Sequence, residues 1–273
     1  MGACRMPGTR VMCHTMTETP PSRRPTLVQV CLMSLPFGTM LLGIIAMVWY
    51  FQRDDIKARG RAEGLYGKEP TESSVADYLT KLTGPIAGVR APTDDVGRRG
   101  LLATMSLIEG SLGEVNMGYT PVVEPFDADG FSWKNIWVDN LGQRNPSEIV
   151  EVRVAYDLAH GPLESVRESL PVAVGLELAH AFSGQKHRRT VRFLFLGNQN
   201  SPQTNVDKTA HSGGQAYAAL MADRRVKVMA VIDLNAGDFE AGRFIAASGK
   251  IDFPLLMQDI DRLRAGILRA ADQ

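Results

Sequence analysis

Two stretches of this chain read as buried strands that run directly into polar turns, "TVRFLFLG" (190–197) and "VKVMAVIDL" (226–234). A third, "SEIVEVRVAYD" (147–157), is alternating and rich in β-branched residues, as a strand needs. Between them lie two helical patterns. "ESLPVAVGLELAHAFSG" (168–184) has Pro171 near its start and Gly184 beyond its end, and "GGQAYAALMAD" (213–223) follows the second strand. Strand–helix alternation of this kind predicts an α/β fold, a mainly parallel mixed sheet flanked by helices on both faces. Sheets of that class place ligands at the carboxyl ends of their strands. The candidate positions are therefore Tyr156-Asp157, Gly197 to Asn200, and Asp233 to Asn235.

The flanking segments extend this plan. Short helices are predicted over 74–85 and 98–119, and strands over 120–126 and 133–142, divided by a "DADG" turn. Downstream, "RFIAAS" (243–248) reads as a short strand and "PLLMQDIDRLRAGILRAA" (254–271) as an amphipathic helix. There is no internal repeat and no low-complexity segment.

The amino-terminal part has a different character. From Pro25 to Gln52 there is no charged side chain, and residues 27–51 are predominantly apolar. At 1.5 Å per residue that length exceeds the roughly 30 Å of a bilayer's hydrocarbon core. Trp49-Tyr50 falls where an interfacial aromatic belt would lie. The stretch is too long for a signal-peptide core and no small-x-small cleavage site follows. The expected organisation is a tail (1–26), a single transmembrane helix (27–51), a polar juxtamembrane stalk (52–72) and an α/β domain (73–273). Basic residues are nearly balanced on the two sides of the span, so charge alone does not orient it.

Thirty Lys and Arg balance thirty Asp and Glu, which argues against a nucleic-acid partner. The one basic cluster, "QKHRRTVR" (185–192), reads as a solvated loop entering a strand. The three cysteines, Cys4, Cys13 and Cys31, all precede the domain, which thus has no disulfide framework, thiolate metal site or cysteine nucleophile. His-Glu-x-x-His and Gly-x-Ser-x-Gly are absent.

Taken in order, several segments resemble the di-zinc aminopeptidases of metallopeptidase family twenty-eight, which also includes glutamate carboxypeptidase-like enzymes. The resemblance spans roughly 73–250 and rests on "GYTPVVEPF", "KNIWVDNLG", "VAYD" (154–157), "LELA" (176–179), "RFLFLGNQ" (192–199), "SGGQAY" (212–217) and "VIDLN" (231–235). It implies a zinc-exopeptidase-like, phosphorylase/hydrolase-like fold, and it favours a tail inside and a domain outside the membrane. The family fold continues further, so the carboxyl-terminal part is expected to be short here.

What the resemblance implies for the site is loss. The position of the family's zinc-binding His holds Ala155, while the Asp two residues on is kept as Asp157. The metal-bridging Asp falls near Arg167, in a loop whose acidic residues are Glu164 and Glu168. The Glu-Glu pair, general base then ligand, becomes Asn198-Gln199, and the ligand Asp becomes Asn235. The family's last His ligand has no counterpart after His211. Amides are weak zinc ligands, and Asn198 cannot take a proton from water.

The resemblance therefore implies no metal, no catalytic residue and a protein that works by binding or scaffolding. Its partners would be the membrane through 27–51 and a peptide or protein at the degenerate cleft. Two other readings remain at this level. One is an active hydrolase with a relocated or single-zinc site built from Asp157, His160, Glu164 or Glu168, and Asp233. The other is a truncated, non-functional copy. Bland alternatives accompany the polar residues: Asp233 and Asp238 as turn caps, His160, His187 and His211 as polar-loop histidines, and His180 as a solvent-facing helix residue.

Overall fold

The computed structural model describes residues 39–45, 47, 67–84, 90, 92–128, 130–158, 165–199, 212–222, 224, 226–235, 239–246 and 250–273. The expected tail, most of the expected stalk, and the expected membrane span apart from 39–45 and 47 lie outside the described residues. Those eight are helical, and Leu42 and Ile45 among them are exposed. No helix among the described residues is long and apolar enough to cross a membrane. The chain divides into two units, Met1–Lys57 and Ala58–Gln273, and the sheet with all labelled helices belongs to the second.

That unit runs α1 (Glu72–Thr83), α2 (Asp95–Leu112), β1 (Val122–Ala128), β2 (Phe131–Asn140), β3 (Asn145–Ala155), α3 (Ser165–Phe182), β4 (Arg189–Leu196), α4 (Gly213–Ala222), β5 (Lys227–Asp233), a 3-10 turn (Ala241–Phe244) and α5 (Phe253–Asp272). The five strands form one mixed sheet in the order β1-β2-β4-β3-β5. β1 and β2 form a hairpin, and β2 lies antiparallel to β4, while β3 runs parallel to both β4 and β5. The sheet is thus evenly mixed rather than mainly parallel. The cause is the placement of the hairpin beside β4, which leaves only β3, β4 and β5 in the parallel arrangement that helical crossovers produce.

One face of the sheet carries the main core. Val152, Phe193 and Phe195 pack there with Leu79 of α1, Ile108 of α2, Leu176 of α3 and Ile260 of α5. α3 is buried on nearly all sides, which is why its sequence lacks a polar stripe. It lies so close to the sheet that a Cβ on Gly175 would stand 2.7 Å from a Val154 methyl. Fully burying each of the two core phenylalanines contributes about 1.5–3 kcal/mol, so this face dominates stability.

The opposite face is covered by α4, where Tyr217 meets Trp137, Leu194 and Leu196. A ladder of charges crosses it. Asp139, Arg192 and Glu151 stand opposite one another on β2, β4 and β3. Arg192 donates to both oxygens of Asp139 at 2.7 Å and to the Tyr217 hydroxyl at 2.7 Å. Tyr217 in turn donates to Glu151 at 2.6 Å, and the far oxygen of Glu151 accepts from Arg153 at 2.6 Å. Burial and the neighbouring Glu151 push the Tyr217 hydroxyl up, keeping it a donor. Each charge is paired, which makes its burial tolerable.

Three local expectations are corrected. Pro171 sits inside α3, not near its start, because the helix already begins at Ser165. Of the expected strand 243–248, Arg243 and Phe244 belong to the 3-10 turn, and 247–248 lie outside the described residues. Phe244 is drawn down to stack on Phe239 at 5.1 Å, and Ile245 makes a single bridge to Ile251. His180 is half-buried rather than solvent-facing, and His187 is buried at 4% exposure, although its neighbours in sequence are polar.

Candidate functional site

The carboxyl ends of β4, β3 and β5 lie side by side, so the positions singled out from sequence do converge. Ala155, Gln199 and Asn235 line a pocket of about 200 Å³ together with Arg153, Leu196 and Asp233. Asp157 and Asn198 are buried. Arg167 is not among the pocket residues. It leaves the first turns of α3 and rests against Gly242 of the 3-10 turn, 3.6 Å from where a Cβ there would stand. His160, Glu164, Asn200, His211 and Asp238 lie outside the described residues.

The polar groups at the strand ends are bound to the fold itself. Asn235 accepts from the Ala155 amide through Oδ1 at 2.6 Å, tying the end of β5 to the end of β3. Asp157 accepts from the Gln199 amide at 3.0 Å, tying β3 to β4. Turned to satisfy both neighbours, the Gln199 side-chain oxygen accepts from the amides of Gly213 (3.0 Å) and Gly214 (2.7 Å). These N–H groups open α4, and an acceptor there stabilises the helix. Asp233 accepts from the Asn235 amide at 2.8 Å, the turn-capping role anticipated for it.

The backbone here is tightly constrained. A Cβ on Gly197 would fall 2.5 Å from the Tyr156 hydroxyl and 2.9 Å from the Trp133 ring. Gly213 donates to the Gly197 carbonyl at 3.0 Å, and the Asn135 amide of β2 bridges the same two glycines. Asn198 then takes a left-handed conformation at φ 52°, which asparagine tolerates better than most residues.

Beneath the site sits a residue that the sequence did not single out. Arg90 is fully buried, receives the Leu158 amide on its carbonyl at 3.2 Å, and donates from Nη2 to Ser169 at 2.9 Å. Its Nε and Nη1 have no hydrogen-bond partner among the described residues. Burial pulls its pKa down to about 10, against the fields of Glu168 and Asp157, which hold it up. It remains a cation at neutral pH, so it acts on those two carboxylates as a buried point charge. Position 90 carries no periodic signal, since its burial is set by the tertiary fold alone.

Among the described residues, the donors at the strand ends do not fit a zinc pair. Ala155 offers a methyl group, while Asn198, Gln199 and Asn235 offer amides where a zinc centre uses carboxylate, imidazole or thiolate. The Asn235 and Gln199 oxygens already accept main-chain N–H groups. Among the described residues no three His, Cys, Asp or Glu side chains come together as a metal site.

No protein-family model matches the chain, and neither does any curated relative. Solved structures similar to it include the glutaminyl cyclase of Fimbriiglobus ruber, 13% identical over 61% of this chain and 61% of that one, with a TM-score of 0.48. A leucine aminopeptidase precursor from Bacteroides thetaiotaomicron is 15% identical over 62% of this chain and 63% of that one, also at 0.48. A putative zinc-dependent exopeptidase from Bacteroides vulgatus matches at 15% identity, 61% of each chain and 0.45. The chain therefore spans less than two thirds of each of these proteins.

Proposed function

We propose that the protein is a membrane-anchored, non-catalytic relative of the di-zinc aminopeptidases that acts by binding. The observation that supports this most is the use of the strand-end amides. Asn235 and Gln199 stand at two positions which, by the family resemblance, would hold metal, and both are engaged as acceptors for main-chain amides of the fold. Asp157 adds to this, since the buried Arg90 supplies a permanent cation beside it. A carboxylate compensated in this way needs no metal ion for its charge.

The pocket is suited to a small occupant. At about 200 Å³ it falls below the roughly 300–1,000 Å³ of ordinary small-molecule sites. One side chain or one chain terminus of a peptide or protein partner fits that size. The anchor is proposed over 27–51, with the domain on the extracytoplasmic side.

Metal content tests the reading. The purified full chain is incubated with zinc, desalted and analysed by mass spectrometry, and the expected result is essentially no bound zinc. Tightly held zinc at one or two ions per chain would overturn the proposal, since two ions is what a di-zinc hydrolase requires.

A further inference from the structure

At the opposite end of the sheet, the turn before β3, the loop before β4 and the end of α5 enclose a pocket of about 280 Å³. It is lined by Gln143, Arg144, Lys186, His187, Arg188 and Asp272. Its floor is held by the main chain. The His187 carbonyl accepts from the Gln143 amide at 2.8 Å, and the Arg188 carbonyl accepts from the amides of Arg144 (3.2 Å) and Asn145 (2.8 Å). The Arg188 amide donates to Asp272 at 3.1 Å, and its guanidinium donates to the Gln273 carbonyl at 2.7 Å. The walls are therefore positioned before any ligand arrives.

The chemistry of the lining is cationic. Arg144, Lys186 and Arg188 face a single carboxylate, Asp272. Arg188 shares its charge with the carbonyl that ends α5, and Arg189 next to it is taken up by Glu148 at 2.7 Å and the Ala270 carbonyl at 2.8 Å. Capping a helix end thus accounts for those two arginines. It does not account for Arg144 and Lys186, neither of which has an ion-pair partner among the described residues.

His187 is the second, independent sign. The ring is buried at 4% exposure against Phe182, with centroids 5.3 Å apart. Neither ring nitrogen has a hydrogen-bond partner among the described residues, and the nearest carboxylate oxygen, on Asp272, is 3.8 Å from Nδ1. Buried polar groups in folded proteins are satisfied with few exceptions, and an exception that lines a cavity marks a place for a further polar group. An anion that draws the ring toward the pocket would accept from one of its nitrogens and, at the same time, from the exposed Arg144 and Lys186.

We propose that this pocket binds a phosphate-bearing small anion, a phosphate monoester, through Arg144, Lys186 and His187. Several cations around one centre favour a dianion over a carboxylate, and the volume admits a phosphoryl group with a compact substituent rather than a drug-sized ligand. Asp272 is then placed to accept from a hydroxyl on that substituent. Burial keeps His187 below the usual histidine range, with Asp272 opposing, so the ring is neutral in the free protein at neutral pH. The charges facing it are Asp272 from α5, Arg144 from the turn before β3, and Lys186 and Arg188 from its own loop. A bound dianion stabilises the imidazolium, so binding takes up a proton wherever the bound ring is protonated and the free ring is not.

Calorimetry on the full chain tests this, with inorganic phosphate and sulfate as probes at constant ionic strength. Both are expected to bind, and the exposed double substitution Arg144→Gln with Lys186→Gln is expected to weaken them at least about tenfold. Sulfate does not titrate in this range, so its affinity should rise on acidification in the native protein and lose that dependence in His187→Phe. That variant keeps the packing on Phe182 and so stays folded. No binding of either anion, or equal affinity in the double variant, overturns the proposal and leaves a water as the partner of His187. Comparing glycerol 3-phosphate with a short-chain phosphatidate then separates sources. Tighter binding of the phosphatidate assigns a lipid headgroup, and equal or weaker binding assigns a soluble monoester.

Discussion

At the carboxyl ends of β3, β4 and β5, the polar side chains that the strands supply are spent on the fold. Asn235 holds Ala155, Asp157 holds Gln199, and Gln199 caps α4. At the amino end of the same sheet, His187 is nearly as deeply buried as Asp157, yet its two nitrogens have no partner and two nearby cations have no counter-ion among the described residues. At the first end the described strand-end amides are committed to the main chain, although a small pocket remains between them. At the second end polar groups are left without partners among the described residues. Position in a fold therefore indicates where a site is looked for, whereas unmet valence indicates where a polar ligand finds partners.

The sharpest way to break this contrast is at Arg90. Arg90→Met removes the buried hydrogen bond to Ser169 and the cation whose field reaches Glu168 and Asp157, and a loss of about 3 kcal/mol in unfolding free energy is expected. Adding Asp157→Asn should recover part of it, a coupling that urea denaturation of the four proteins in the cycle measures. If the single variant were as stable as the native chain, Asp157 would not be held by Arg90.

Gly197→Ala comes next. The new methyl would collide with Tyr156 and Trp133, and overpacking of this kind costs about 1–3 kcal/mol. An unchanged melting temperature would show that the strand end yields and is no fixed floor.

Smallest is the effect of His187→Phe on the ligand-free protein. It removes two unsatisfied nitrogens, so stability at neutral pH should stay level or rise by up to about 1 kcal/mol. The pH dependence has a definite sign. His187 binds its proton less readily folded than unfolded, so the unfolded state gains protons first. Native stability should fall as the pH drops below about 6.5, and that part of the slope should vanish in the variant. A slope unchanged by the substitution would remove His187 from the account.

The sequence made the first end legible and hid the second. Apolar runs that stop at Asp157, Gly197 and Asp233 announce buried strands, and strand ends of an α/β sheet are where polar residues are looked for. Even so, the hairpin's place beside β4 was not readable, because pairing between distant strands leaves no periodic trace. His187 was hidden by its company. Among Gln185, Lys186 and Arg188 it looks solvated, and only the main-chain ties to Gln143 and the ring of Phe182 bring it inside. Arg192 was hidden in the same run, since a charge in a buried strand makes sense only once Asp139 and Tyr217 are known to face it.

The pinned glycines at the end of β4 have a consequence for how the chain can change length. Gly197 and Gly213 touch, and Asn135 fastens both, so the two ends of the intervening stretch, Gln199 and Ser212, are held close together. For a loop with a closed neck, each doubling of length costs only about 0.6 kcal/mol of closure entropy. This stretch is therefore where the protein can take on an added segment, such as a tag or a cleavage sequence, with the sheet left undisturbed on either side.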